Sequence, residues 1–236
     1  MRAPIIPMKW RGISETESEP IKATLAAELA ERRELMRYYV PPATQAINDR
    51  VTEELKSSGI VERVLARGAK APEFTLPDAD GKLVSSRDLL ARGPLVISFF
   101  RGRWCPFCVA EAEALNRILA QIEQSGASLV AISPQDVRQN SFMRDQHKLG
   151  YPLLSDSGNG VARQFGLVYS LPQYQQELFQ SVFINLPFIH SHPAWELPLP
   201  ATYVLNSDGT VRWHWMSADY TERAEPGEIV AVLTSQ

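Results

Sequence analysis

The residues of this 236-residue chain best suited to covalent chemistry are its only two cysteines, in the run Trp104-Cys105-Pro106-Phe107-Cys108. A thiolate is a strong nucleophile. A second thiol one helical turn away can then displace whatever the first has bound by closing a disulfide. A purely structural bridge is a poor alternative, because linking near neighbours removes little entropy from the unfolded chain. Zinc fits poorly too. A closed site takes about four ligands, no second cysteine pair exists, and the histidines are His147, His190, His192 and His214. No metal or other cofactor is therefore expected. The neighbours favour a reactive sulfur. Pro106 suits the first position of a helix, which leaves Cys105 at the N-cap, facing unpaired N–H groups and the positive end of the helix dipole. Arg101 and Arg103 add positive charge nearby, which either steers an anionic substrate or is exposed loop charge. Glu111 lies one turn past Cys108 and could relay a proton, although a solvated helix glutamate is the simpler reading. Trp104 either shields the dithiol or packs beside it.

The elements that must hold this pair can be read on both sides of it. Leu95-Val96-Ile97-Ser98-Phe99-Phe100 is short, apolar and rich in β-formers, the pattern of a strand buried on both faces. A loop of residues 101–104 follows. A long amphipathic helix then opens at Cys105, with Ala112, Leu115, Ile118, Leu119 and Ile122 on its apolar face, and ends at Gly126. Residues 128–133 read as a second buried strand, 136–148 as a polar helix and 151–154 as a short strand. Strand and helix alternating in this order predict an α/β domain with parallel pairing. Upstream, residues 72–76 read as a strand with a turn at Asp80-Gly81. Downstream, residues 201–206 and 210–216 read as a hairpin, and 225–234 as a closing helix.

Two regions fall outside this scheme. Residues 1–66 form an N-terminal helical extension, with one helix over 21–39 that carries Pro20 near its start and a second over 43–56. It is read as a packing or dimerisation arm. Within the domain of residues 67–236, the stretch 169–199 is proline- and aromatic-rich and is expected to be an inserted loop, with one helix near 173–179. Apolar residues make up 44% of the chain, charged residues 22%, and the formal net charge is −3. Those values describe an ordinary globular protein without the basic surplus of a nucleic-acid binder. No stretch is apolar enough for a membrane span. A cytoplasmic location is the expectation.

Three segments resemble the AhpC/TSA family, the alkyl hydroperoxide reductase and thiol-specific antioxidant proteins, in its peroxiredoxin-like branch. They are APEFTLPDADGKLVS, FFRGRWCPFC and PATYVLNSDGTVRWHW, and ADYTERAEP near the end is similar as well. The resemblance covers about residue 68 to the C-terminus and implies a thioredoxin-like fold, a central mixed sheet flanked by helices. Peroxiredoxins carry Pro-x-x-x-Thr/Ser-x-x-Cys, whose cysteine attacks peroxide. That register puts Cys108 in the attacking place, Cys105 in the threonine place and Arg101 in the proline place. The family's later arginine aligns with Pro200, so only the cysteine is kept of those four. Pro200 itself looks like the cis-proline that faces Cys-x-x-Cys in thioredoxins and offers backbone groups to a substrate peptide; a trans proline ending a loop is the alternative. The resemblance implies a hydroperoxide-reducing thiol enzyme, recharged by a thioredoxin-type reductant through a Cys105–Cys108 disulfide. Disulfide exchange with Cys105 attacking and Cys108 resolving is the alternative, and a non-catalytic redox sensor or interaction protein is a second. A homodimer through the N-terminal helices is a further expectation.

Overall fold

The computed structural model describes residues 24–235. In chain order the helices are α1 (Leu25–Tyr39), α2 (Pro42–Ser57), α3 (Ser86–Leu90), α4 (Pro106–Arg117), α5 (Leu119–Gln124), α6 (Val137–His147), α7 (Gly160–Gln164), α8 (Gln173–Ser181), α9 (Leu186–His190) and α10 (Pro226–Thr234). The strands are β1 (Thr75–Pro77), β2 (Leu83–Ser85), β3 (Leu95–Phe99), β4 (Ser128–Ser133), β5 (Leu153–Ser155), β6 (Val168–Ser170), β7 (Glu196–Pro198), β8 (Ala201–Leu205) and β9 (Val211–Met216). Five of these strands form one mixed sheet in the order β5-β4-β3-β8-β9. β3, β4 and β5 run parallel, as the alternation of strand and helix predicts, while β8 and β9 are antiparallel and form the expected hairpin. All five β3 residues are buried, since helices cover both faces of this central strand.

Three sequence expectations need correction. The helix expected from residue 21 starts at Leu25, because Thr24 caps it by accepting from the Ala27 N–H; Pro20 lies outside the described residues. The helix after the dithiol is not continuous to Gly126. It breaks at Ile118, whose φ and ψ (−103° and 5°) are non-helical, and resumes as α5. The stretch 169–199 is no simple loop either. β6 and β7 pair antiparallel and close its base, and α8 and α9 bury Leu178, Phe179 and Leu186 in a small core of their own with Leu171 and Leu197.

The N-terminal helices lie against the dithiol side of the domain. Leu25 and Leu29 of α1 are buried in the same cluster as both cysteines. The first turn of α1 is pinned by Glu225, whose carboxylate accepts from the Leu25 and Ala26 N–H groups at 3.2 and 2.5 Å. A carboxylate at a helix N-terminus also suits the helix dipole. Arg33 donates to the Thr221 carbonyl at 3.2 Å. α2 then crosses to α8, where the Tyr174 hydroxyl donates to Glu54 at 2.5 Å and Arg50 sits 4.2 Å over the Tyr174 ring. The arm thus bridges the 219–225 segment and the 169–199 excursion.

Candidate active site

The buried strand β3 delivers the chain to a tight loop at the C-terminal edge of the sheet, where functional groups of open α/β sheets gather. Gly102 makes this loop possible: its φ is +149°, and a Cβ there would lie 2.5 Å from the Trp104 indole nitrogen. The Cys105 N–H donates back to the Gly102 carbonyl at 3.1 Å, and Pro106 takes the first position of α4, leaving Cys105 at the N-cap as expected. Both cysteines are free thiols and almost sealed from solvent, Cys105 at 2% and Cys108 at 1% exposure.

Each sulfur has its own guanidinium. Arg223 donates from Nη2 to Cys108 Sγ at 3.1 Å and from Nε to Glu111, while its Nη1 donates to the Tyr220 and Glu222 carbonyls at 2.9 and 2.5 Å. Glu111 also accepts from the Ser98 hydroxyl of β3 at 3.2 Å. The simpler reading of Glu111 as a solvated residue is therefore wrong. It sits three residues past Cys108, on the same face of α4, and that face turns toward β3 and the Arg223 segment, leaving it 3% exposed. Burial raises its carboxyl pKa, against the opposing pull of Arg223 and Ser98. Arg101, 3% exposed, places Nη1 3.9 Å from Cys105 Sγ, between the rings of Trp104 and Tyr220 at 4.9 and 4.6 Å. Of the two readings offered for Arg101, the exposed loop charge is excluded. Arg103 points elsewhere: it is exposed, donates to Gln139 at 2.6 Å and lies over Phe142. Trp104 packs edge-on against Phe179 and under Arg101, covering the loop rather than the sulfurs alone.

Pro200 departs from the expectation of a cis-proline. No peptide bond is cis among the described residues. The Pro200 carbonyl accepts from the Ser217 N–H at 3.3 Å, so it is used inside the fold instead of being offered to a peptide. A guanidinium nevertheless reaches the dithiol from another segment. Arg223, from the ADYTERAEP stretch, brings a guanidinium to Cys108 from 115 residues along the chain. The family-like stretch was noticeable in the sequence, but nothing local links it to the dithiol.

Electrostatics make the sulfurs a unit. Burial alone would raise the Cys105 pKa, but the neighbouring Cys108 thiol, then Arg101 and Arg223, outweigh it and hold Cys105 well below an ordinary thiol. Burial and the neighbouring sulfur push Cys108 well above it, since two thiolates cannot share one dry site. The pair keeps one proton and one negative charge. Such a buried thiolate, hydrogen-bonded by a fixed guanidinium, can attack an electrophilic oxygen or sulfur, and the adjacent thiol can resolve the product.

Comparison with known proteins gives a consistent picture. Residues 67–214 match the AhpC/TSA family. The chain is 29% identical over 171 residues to a chloroplastic peroxiredoxin Q of Oryza sativa subsp. japonica, across 72% of this chain and 68% of that one. It is 31% identical over 147 residues to a putative peroxiredoxin of Mycobacterium tuberculosis, across 62% and 82%. Among solved structures, the peroxidoxin BcpB of Mycobacterium tuberculosis superposes with a TM-score of 0.57 at 25% identity, covering 72% of this chain and 96% of that one. Peroxiredoxin Q of Xanthomonas campestris shares the fold, with a TM-score of 0.52 at 20% identity over 68% and 89%.

Proposed function

The chain belongs to the AhpC/TSA family, and from that membership we propose that it is a thiol peroxidase reducing hydroperoxides through the Cys105–Cys108 pair. The observation that carries this reading is the guanidinium of Arg223, 3.1 Å from Cys108 Sγ and held from behind by Glu111. With the shared proton on Cys105, the Cys108 thiolate attacks the terminal peroxide oxygen. The O–O bond breaks, Cys108 becomes a sulfenic acid, and the alkoxide (or hydroxide) takes the Cys105 proton. Cys105, now the thiolate and steadied by Arg101, attacks the Cys108 sulfur, closes the disulfide and expels hydroxide. A thioredoxin-type reductant returns two electrons and two protons, one proton restoring the pair and the other neutralising the expelled hydroxide. Arg223 stabilises both the thiolate and the developing charge on oxygen, the kind of fixed donor that contributes most in a dry site. Pro106 fixes Cys105 at the helix start, and Trp104 holds Arg101 in place. Arg103, turned to Gln139 and Phe142, is given no role in these steps.

One observation favours a second order of events. Cys105 stands at the N-cap with the lower pKa, the arrangement of a disulfide-exchange nucleophile. Trapping decides between them. The reduced protein is mixed with one equivalent of hydrogen peroxide in the presence of a sulfenic-acid trap, and the adduct is located by mass spectrometry. The expected adduct is on Cys108, and it persists in Cys105→Ser, which has no resolving thiol. An adduct confined to Cys105, or sluggish peroxide oxidation beside rapid exchange with a model disulfide, rejects the proposed order.

A reducing compartment such as the cytoplasm is the proposed setting, since a dithiol cycle of this kind draws on a thiol reductant. A homodimer through α1 is proposed on the large apolar residues its last turns leave outside, Leu35, Tyr38 and Tyr39. Sedimentation velocity on the intact chain is expected to give the dimer mass, and a monomer mass at micromolar concentration removes that proposal.

A further inference from the structure

The dithiol loop is tied to the neighbouring strands by a buried amide that takes no part in the peroxide chemistry. Gln135, in the turn between β4 and α6, is fully buried, and so is Asn140 on α6. Gln135 Oε1 accepts from the Arg103 N–H at 3.0 Å. Its Nε2 donates to Asn140 Oδ1 at 2.7 Å, and Asn140 Nδ2 donates in turn to Ser155 Oγ of β5 at 2.8 Å. Asn140 Oδ1 also accepts from the Ser133 hydroxyl of β4 at 3.3 Å. Both amides thus have oxygen and nitrogen engaged, which fixes Gln135 with its oxygen toward the loop.

The anchored N–H belongs to the short loop that carries Arg101. Gly102, between the two, is so close to the amide that a Cβ there would lie 3.3 Å from Gln135 Oε1. Arg223 is paired with Glu111, but the groups that act on the Arg101 charge are Tyr169, Cys105, Cys108 and Tyr220, with no carboxylate among them. The rings of Trp104 and Tyr220 hold its guanidinium at 4.9 and 4.6 Å, and ring faces direct a cation far less than a carboxylate fork does. The aim of Nη1 at Cys105 Sγ, 3.9 Å away, therefore depends on where the loop backbone roots the side chain.

We propose that Gln135 is a positioning residue: by holding the Arg103 peptide it fixes the 101–104 backbone, aims Arg101 at Cys105, and so readies Cys105 to close the disulfide. It acts through the loop rather than on a sulfur. The charged groups facing Cys105 are Cys108 on α4, Arg101 on the loop and Arg223 on the 219–225 segment, and Glu111, Tyr169 and Tyr220 are the other groups that feel its charge. Of these, only Arg101 is rooted in the anchored loop. Arg223 reaches Cys108 from its own segment, so the first attack depends on Gln135 less than the closing step does.

One measurement rests on the peroxidase reading. With both cysteines present, the Cys108 sulfenic acid is expected to last about tenfold longer at pH 6 in Gln135→Met, because less of Cys105 is thiolate. The other measurement needs no oxidant and reads Cys105 alone, so it decides the role of Gln135 even if the sulfenic acid never forms. In Cys108→Ser, thiolate absorbance is followed against pH, with the variant lacking both sulfurs as the blank. Gln135→Met, close in volume but without the acceptor, is expected to raise the half-ionisation pH of Cys105 by about one unit, the lower end of what an opposite charge at this distance supplies. Gln135→Asn, one methylene short of Arg103, is expected to do the same and replaces the methionine variant if that fails to fold. Ser86→Ala is the control: Ser86 Oγ likewise accepts a buried backbone N–H, that of Phe74 at 2.9 Å. It is expected to lower the urea midpoint and leave the half-ionisation pH in place. An unmoved half-ionisation pH in the Gln135 variants, the same rise in Ser86→Ala, or an unchanged sulfenic-acid lifetime overturns the proposal.

Discussion

Replacing Arg223 with methionine lowers the rate constant for oxidation of the reduced protein by hydrogen peroxide by on the order of 10²–10³-fold, the loss typical of removing one fixed donor from a developing oxyanion. The effect has two parts, because Arg223 does two things. Its Nη2 meets Cys108 Sγ at 3.1 Å, and its Nε meets the buried Glu111. Removing the guanidinium leaves Glu111 with only the Ser98 hydroxyl, and breaking a buried ion pair on one side costs about 3–5 kcal/mol of stability. A slower reaction by itself could thus reflect a loosened fold. The double variant Arg223→Met/Glu111→Met separates the two: an apolar pair of similar volume is expected to restore most of the urea midpoint while the oxidation rate stays low. Stopped-flow tryptophan fluorescence reads the rate and urea unfolding the stability. A double variant that recovers both would make Arg223 a structural residue and leave Cys108 without its electrostatic partner.

That arginine also marks where sequence reasoning stops. β3, the loop and the start of α4 follow from local pattern: a run of β-formers, then a proline that fits only the first turn of a helix. Cys105 at the N-cap follows with them. Arg223 does not, because it reaches Cys108 from a segment beyond β9 and no periodicity couples positions 115 apart. Glu111 was legible as a neighbour of Cys108 but not as buried, since its burial is decided by the same distant segment. The ordering of residues 169–199 has a similar cause. Leu171 and Leu197 become core only once β6 and β7 pair, and that pairing spans 30 residues of chain. The break at Ile118 left no signal at all, as α4 and α5 share one apolar face across it.

Between pH 6 and pH 8 the rate constant for peroxide oxidation is expected to stay within about twofold. An unperturbed thiol with a pKa of about 8.5 would change its thiolate fraction about 75-fold over that range. The buried pair behaves otherwise because its first proton is lost well below the ordinary value and its second well above it. Moving the remaining proton from Cys108 to Cys105 before attack changes no net protonation, so it introduces no pH dependence. The same charge state sets the potential. Reduction of the disulfide then takes up one proton per two electrons, and the midpoint falls by about 30 mV per pH unit, half the slope of a pair that ends as two thiols. Stability of the reduced form follows by linkage. As pH rises toward about 8.5, the unfolded chain holds the Cys105 proton that the folded chain has already lost, so stability increases. Above that value the folded chain holds the Cys108 proton longer than the unfolded one, so stability decreases. The disulfide form has neither group, and the reduced-minus-oxidised difference in unfolding free energy should peak near the ordinary cysteine pKa. A potential falling by about 59 mV per pH unit through neutrality, or a rate that climbs with pH like a free thiol, would mean that Arg101 and Arg223 hold no thiolate between them.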